Sequence, residues 1–324
     1  MMKAMLAAVL CALATMPAAA QDNATSYPTK PIRLVVSFGP GGGADIVGRI
    51  LGQSLQEKLG QPVVIENKPG AAGTIGNEVV ARAEKDGYTI GIMTAGQIIA
   101  AVMNKSMRYD TSSAFEPISL VATASLIMVT RPDFPADDVK ALVAAAKQSP
   151  GKITVASPGF GATQHMAGEL FKQTAGINMT SVQYRTSPEV ITAVLGKQVD
   201  VLFDTVLAVL GQVQSGQLKA LAVTGKERFP IVPTVPTVIE SGLAPGYDVT
   251  TWYGFFAPRG TPAPIIAKLN KALNEAIKED AVRERLNKAG VTVQGSTPQE
   301  FGAFMAAELA RWDKVRQAAG IEKQ

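Results

Sequence analysis

Apolar positions along the chain change period in a regular order. Ile32 to Phe38 is a short, mostly apolar run rich in β-branched residues, and it predicts a buried strand. Glycines follow, and then Val47, Ile50, Leu51, Leu55 and Leu59 recur at helical spacing, with Gly60 where a left-handed C′ residue belongs. Gln61 to Glu66 predicts a second strand, Gly73 to Ala83 a helix and Tyr88 to Met93 a third strand. That order makes a β-α-β-α-β unit with a parallel sheet.

A second series begins near residue 137. Helices are predicted over Asp137 to Gln148, Ala162 to Ala175 and Pro188 to Gly196. Strands are predicted over Ile153 to Ser157, Ser181 to Arg185, Val199 to Asp204 and Lys219 to Thr224, with a helix between the last two. Two further apolar stretches, Leu120 to Thr130 and Val249 to Ala257, flank this series and read as strands passing between two lobes. The end of the chain is helical. Thr261 and Pro262 read as cap and first position of one helix, and Thr297 to Glu300 has the spacing of a capping box. The expected fold class is therefore α/β with two lobes, each a mixed sheet flanked by helices, and a ligand cleft between them. The expected boundaries are 1–20 for a signal peptide, 21–124 plus 252–324 for a discontinuous lobe 1, and 125–251 for lobe 2.

The first residues support export. Lys3 precedes a short apolar run, and Ala18-Ala19-Ala20 before Gln21 is an A-x-A cleavage signal. Removal of this segment removes Cys11, the one cysteine of the 324-residue chain. With one Cys and one His, zinc sites, disulfide frameworks and Cys–His nucleophile pairs are excluded, and no metal or cofactor is expected. The 31 basic residues against 27 acidic ones are scattered and aromatics are only 6%, so no nucleic-acid partner is expected either. The chain is expected to be periplasmic and to act as a monomer.

The candidate chemistry lies in two glycine loops. Val36-Ser-Phe-Gly-Pro-Gly-Gly-Gly-Ala-Asp45 and Val155-Ala-Ser-Pro-Gly-Phe-Gly-Ala-Thr163 each join a strand to a helix. Aligning Gly43 with Gly161 makes them an internal repeat, with Asp45 on Thr163. Free N–H groups at a helix start favour an anion, and the carboxyl edge of an open α/β sheet is where ligands bind. Two such loops across a cleft would hold one carboxylate. Ser157, Thr163 and Gln164 would add neutral donors, and His165 would support the loop or touch the ligand. Asp204, at a strand end on the same edge, reads either as a helix N-cap or as a contact for the far end of the ligand. Arg185 would reach a second carboxylate. A rival reading takes Gly39-x-Gly41-x-x-Ala44 and Glu66 as a dinucleotide fingerprint and makes the chain an oxidoreductase; the acidic residue lies beyond the ~20 positions of that pattern.

Beyond these patterns, Tyr27-Pro-Thr-Lys-Pro-Ile-Arg-Leu-Val-Val-Ser-Phe-Gly-Pro-Gly-Gly-Gly-Ala-Asp45 resembles the start of a mature Bug receptor. Val63-Val-Ile-Glu-Asn-Lys-Pro-Gly-Ala-Ala-Gly73, Asp86-Gly-Tyr-Thr89 and His165-Met-Ala-Gly-Glu-Leu-Phe171 match the same family, as do Gln198-Val-Asp200, Pro233-Thr-Val-Pro236 and Trp252-Tyr-Gly254. These are extracytoplasmic solute receptors of tripartite tricarboxylate transporters. The resemblance implies a type II periplasmic-binding-protein fold that closes like a flytrap, no catalysis, and a transporter's membrane subunits as partners. It also implies that backbone groups of both loops hold a small carboxylate: a dicarboxylate, a tricarboxylate or an aromatic acid. Carried over by position, the first loop supplies Phe38, Gly41, Gly42, Gly43, Ala44 and Asp45. The second supplies Ser157, Phe160, Gly161, Ala162, Thr163, Gln164 and His165. Thr94 and Ala95, in Thr94-Ala-Gly-Gln97, match a further pocket loop. Departures from the family pattern are Ala44 in place of a hydroxyl residue, Gly70-Ala-Ala-Gly73, and Thr186 after Tyr184-Arg185.

Overall fold

The computed structural model describes residues 26–158, 160–184 and 186–323. The expected signal segment, Gly159 and Arg185 lie outside the described residues. In the first series, β1 (Ile32–Val36) leads to α1 (Gly43–Leu59), β2 (Val63–Asn67), α2 (Thr74–Ala81) and β3 (Thr89–Thr94). β1 pairs parallel with β2 on one side and with β3 on the other. Gly60 ends α1 in the left-handed region at φ 70°, as its position after the apolar stripe predicts. In the second series, β5 (Thr154–Pro158) leads to α5 (Thr163–Ala175), β6 (Thr180–Tyr184), α6 (Ser187–Leu195) and β7 (Val201–Thr205). There β5 pairs parallel with β6 and β7. Each glycine loop therefore leaves the carboxyl end of a strand whose neighbours are reached in opposite directions, the switch point at which open α/β sheets bind ligands.

One strand joins the two series. β4 (Phe115–Thr130) runs for 16 residues, about three times the usual strand length. Its first part pairs antiparallel with β9 (Thr250–Pro258), as far as Ser125 opposite Thr250. At Leu126 its partners become β7, and β8 (Lys219–Val223) on the other edge. The result is a 10-stranded sheet in the order β2-β1-β3-β9-β4-β7-β5-β6, with β8 and β10 (Thr292–Val293) also paired to β4. β4 and β9 are the two connecting strands expected from the apolar stretches near residues 120 and 250.

The remaining helices are α3 (Ala95–Met103), α4 (Val139–Gln148), α7 (Val206–Gln214), α8 (Ala263–Ala276), α9 (Asp280–Lys288) and α10 (Pro298–Ala318). Three expectations need correction here. Thr94-Ala-Gly-Gln97 is not a loop but the start of α3, where Thr94 and Gln97 form a capping box. Thr261 does not cap α8: Pro262 holds the N-cap position, and the Thr261 hydroxyl donates to the Pro258 carbonyl at 2.8 Å. Asp204 is not a helix cap, because Thr205 occupies that position before α7. The capping box predicted at Thr297 and Glu300 is present.

The core has private and shared parts. Leu34, Leu51 and Leu273 belong to a cluster under the first half-sheet, and Val190, Leu202 and Val209 to one under the second. A third cluster crosses from Met93 and Phe256 to Phe171 and Phe203, with Trp252 and Trp312 in its middle. α10 secures that middle. The buried Glu308 accepts from the indole N–H of Trp252 at 3.1 Å and of Trp312 at 3.0 Å through one oxygen. Its other oxygen takes Arg311 at 3.3 Å. Removing this acceptor strands two buried donors. Glu308→Ala is therefore expected to cost about 2–4 kcal/mol in urea unfolding, and Glu308→Gln distinctly less because an amide oxygen remains. A Glu308→Ala protein as stable as the parent would show that the indoles find other acceptors.

Candidate functional site

The two loops share one local device. Gly41 has φ +80° and Gly161 has φ +72°, conformations open to glycine and costly to other residues. Gly41 N–H donates to Asp45 Oδ2 at 2.9 Å, and Gly161 N–H donates to His165 Nδ1 at 3.1 Å. In both loops the residue after this glycine is extended and precedes the helix: Gly42 at φ −76°, ψ 165° and Ala162 at φ −71°, ψ 163°. The repeat thus pairs Gly41 with Gly161 and Asp45 with His165. This corrects by two positions the alignment that placed Gly43 on Gly161.

Neither α1 nor α5 receives a side-chain N-cap. The first N–H groups of each helix, at Gly43, Ala44 and Asp45 and at Thr163, Gln164 and His165, have no carbonyl of their own helix to bind. Each latch fixes the turn before a helix start that no side chain caps. Backbone N–H groups in that position have the geometry and the positive dipole end that suit an anion.

Asp45 is committed to its loop. Besides Gly41, its carboxylate accepts from Arg49 Nε at 2.9 Å and from Asn67 Nδ2 at 2.9 Å. Burial pushes this carboxyl up, but hydrogen bonds from Arg49, Gly41 and Asn67 outweigh it and hold the group below its usual range. Asn67 also donates to the Phe38 carbonyl at 3.0 Å. His165 is committed in the same way. Its Nδ1 is an acceptor, so the neutral ring carries its proton on Nε2, which faces Glu169 Oε1 at 3.6 Å. Glu169 accepts from Lys172 at 2.7 Å and Ser181 at 2.5 Å. Burial opposes its ionisation, yet His165, Lys172 and Ser181 bring its carboxyl down to about 2.

The other expected residues fall as follows. Ser157 is buried and donates to Gln183 Oε1 at 2.7 Å. Phe160 is 43% exposed, and its ring stands 5.1 Å from that of His165. Thr94 and Ala95 are buried at the start of α3. Gln164 Nε2 donates to Asp204 Oδ1 at 3.4 Å, which brings Asp204 to the first turn of α5. Met103, at the end of α3, lies against the second loop: a methyl group on Gly161 would sit 3.6 Å from its Cγ. α3 thus touches both loops, at opposite ends: a methyl group on Gly96, at its start, would sit 4.0 Å from the ring of Phe38. A cavity of about 710 Å³ lies elsewhere, among Phe115, Arg259 and Ile266, and contains neither glycine loop. Among the described residues no group of three or more His, Cys, Asp or Glu side chains comes together to hold a metal ion. Glu66, the acid of the dinucleotide reading, is bound to Arg33 and Lys68 and is not free for a ribose.

Sequence reasoning missed two participants. Asn67 stood just past the strand predicted over Gln61 to Glu66, within the run that resembles the family, and was given no role. Tyr253, on β9, brings its hydroxyl onto Gly43: a methyl group there would lie 2.2 Å from the phenol oxygen. Burial pushes this phenol up to about 12, so it is a neutral donor beside the open end of α1.

Two outcomes test this geometry. Gly41→Ala meets no atom within 4 Å and suffers only its positive φ, which costs about 1–2 kcal/mol. Gly43→Ala collides with Tyr253, so it should lower the melting temperature further, and Tyr253→Phe should restore part of that loss; no restoration would mean the contact is unimportant. For Glu169, a folded value near 2 against ~4.3 unfolded gives roughly 2–3 kcal/mol of stability. That contribution is complete above about pH 4.3 and disappears as pH falls towards 2. The stability gap between the parent and Glu169→Gln should therefore be constant from neutral pH to about 5 and close below it; a gap that persists unchanged to the acid limit would refute this coupling.

Known proteins share this architecture. The model of the tripartite tricarboxylate transporter family receptor, TctC, matches residues 47–321. The periplasmic binding protein BugD is 38% identical, with a TM-score of 0.79 over 92% of this chain and 100% of that one. A Rhodopseudomonas palustris protein solved with adipate, Rpa4515, is 32% identical, with a TM-score of 0.81 over 91% and 99% of the two chains. MatC from the same organism, solved with malate, is 32% identical, with a TM-score of 0.76 over 89% and 99%. Matched by the family model over most of its length, and folded like receptors that hold small dicarboxylates, the chain belongs to the tripartite tricarboxylate transporter receptor family, with the two-lobe fold of periplasmic binding proteins.

Proposed function

We propose that this protein is an extracytoplasmic receptor that captures a small carboxylate between its lobes and delivers it to a tripartite tricarboxylate-type transporter. The observation that carries the reading is the pair of latched glycine turns, each presenting an uncapped helix start at a sheet switch point. In this reading, lobe 1 is 21–124 plus 252–324 and lobe 2 is 125–251, with the division where β4 changes partners after Ser125. The chain is exported, cleaved near Ala20, periplasmic and monomeric, and it catalyses no reaction.

The N–H groups of Gly43, Ala44, Thr163 and Gln164 bind the ligand carboxylate, and Tyr253 adds a neutral hydroxyl. Asp45 and His165 hold the turns without touching the ligand; Phe38 and Phe160 close the mouth. Four charge-assisted bonds are worth a gross ~6–12 kcal/mol. Association itself costs ~4–15 kcal/mol. At mid-range values the two nearly cancel, so the clamp alone falls well short of the ~8 kcal/mol of a micromolar complex, and the remainder of the ligand must supply both affinity and choice. The adipate and malate held by the two relatives are of the expected size and charge.

The test is calorimetric titration of the mature chain with succinate, malate, adipate, citrate and benzoate, alongside small-angle scattering. At least one acid should bind saturably with one-to-one stoichiometry, and the radius of gyration should fall on binding. Binding of none, turnover of a bound acid, or retention of a nicotinamide dinucleotide through purification would end the proposal.

A further inference from the structure

A buried polar network joins the root of the first glycine loop to the start of α3. At its centre is Asn77, in α2, whose side chain is fully buried. Its Oδ1 accepts from Ser37 Oγ at 3.1 Å and from Gln97 Nε2 at 2.9 Å. Gln97 lies in the first turn of α3, and its Oε1 accepts from the Thr94 N–H and, at 3.0 Å, from the Thr94 hydroxyl. Ser37, Thr94 and Gln97 are buried as well. The backbone comes close at both branches. A methyl group on Gly76 would lie 2.5 Å from Ser37 Oγ, and one on Gly73 would lie 2.8 Å from Gln97 Cγ.

Nothing in α2 itself calls for an amide at this position. Asn is a poor helix former and is mostly an exposed residue. Both donors to its oxygen come from outside the helix. Ser37 is the residue after β1, where the chain enters the first glycine loop, and Gln97 opens α3. α3 then runs from Phe38 of the first loop to Gly161 of the second. We infer that Asn77 is a positioning residue of the carboxylate site: it fixes the root of the first glycine loop against the start of α3, without touching the ligand. This inference rests on the carboxylate-receptor reading. Loss of the acceptor leaves two buried donors unpaired, and the loop is then free to leave its binding shape. Apparent affinity falls by the fraction of time that this shape is held.

The test titrates the parent, Asn77→Ala, Ser37→Ala and Leu218→Ala with succinate, malate, adipate, citrate and benzoate, and measures each melting temperature without ligand. Asn77→Ala removes the acceptor, and Ser37→Ala removes only its branch to the loop. Leu218→Ala is the control for lost stability. Leu218 is 2% exposed and precedes Lys219, which pairs with Thr130, as does Val201 at the start of β7. It therefore lies at the edge of the second half-sheet opposite to the glycine loop. Asn77→Ala should weaken the tightest-bound acid about tenfold, as for a loop that holds its shape roughly a tenth of the time, and Ser37→Ala about threefold. Leu218→Ala should lower the melting temperature by several degrees and leave the affinity unchanged.

If the parent binds none of these acids, the receptor reading itself fails and takes this inference with it. If the parent binds one and a folded Asn77→Ala protein binds it equally well, only the inference fails. A Leu218→Ala protein that loses affinity along with its stability would show that any destabilisation suffices, which also overturns it. Should Asn77→Ala not fold, Ser37→Ala decides: a folded Ser37→Ala protein with the parent's affinity ends the idea. Weakened binding by Asn77→Ala with no effect of Ser37→Ala would assign the action to Gln97 alone and overturn the link to the loop.

Discussion

The binding reading hangs on one backbone hydrogen bond made twice. A glycine at positive φ gives its N–H to a side chain four residues later, and that bond turns the loop so that the following helix begins with its N–H groups open. Without the latch, the same glycine-rich segments have many conformations, and the donors would be scattered among them. Glycine loses more conformational entropy on ordering than any other residue. The latch residue is the fixed point that offsets this loss, because it is anchored in the first turn of a rigid helix.

The two latches are unlike in chemistry. Asp45 offers a carboxylate that accepts from three partners, one of them the cation Arg49. His165 offers a single imidazole lone pair and leans on Glu169 through its other nitrogen. The carboxylate of the first turn stays ionised because its hydrogen-bond partners favour the charge. The two turns thus rest on chemically different acceptors although their backbones match.

This dissimilarity is also why the repeat was only partly legible in the sequence. The alternation of strands and helices, the connecting strands, Gly60 and the Thr297 capping box could all be read, because each is a local rule about period, φ or hydrogen bonding. Both glycine loops could be found for the same reason. Their true register could not, since Asp and His share no obvious property until both are seen accepting the same N–H. Asn67 and Tyr253 reach the first loop from β2 and β9, and nothing local to those strands announces it. Thr94-Ala-Gly-Gln97 looked like a loop because its helix has few polar positions to reveal a period; in a helix buried on nearly all sides, hydropathy carries no phase. Asp204 was legible as a strand-end acid, but its contact with Gln164 depends on the placement of α5 and β7.

Tyr253 ties the first glycine turn to the strands that join the halves. It pairs across the sheet with Thr94, at the start of α3, and with Ala122 on β4. Its hydroxyl touches the first residue of α1. Its neighbour Trp252 points to the other face and is held by Glu308 on α10. Adjacent residues of β9 are thus fixed at once to the uncapped start of α1 and to the buried core that both halves share. Tyr253 and Gly43 both belong to the first half of the sheet, so their contact holds the start of α1 in fixed register with β9, the strand by which the chain returns from the second half. If a carboxylate engages the open end of α1, as proposed, it does so against a wall whose backbone the sheet has already set.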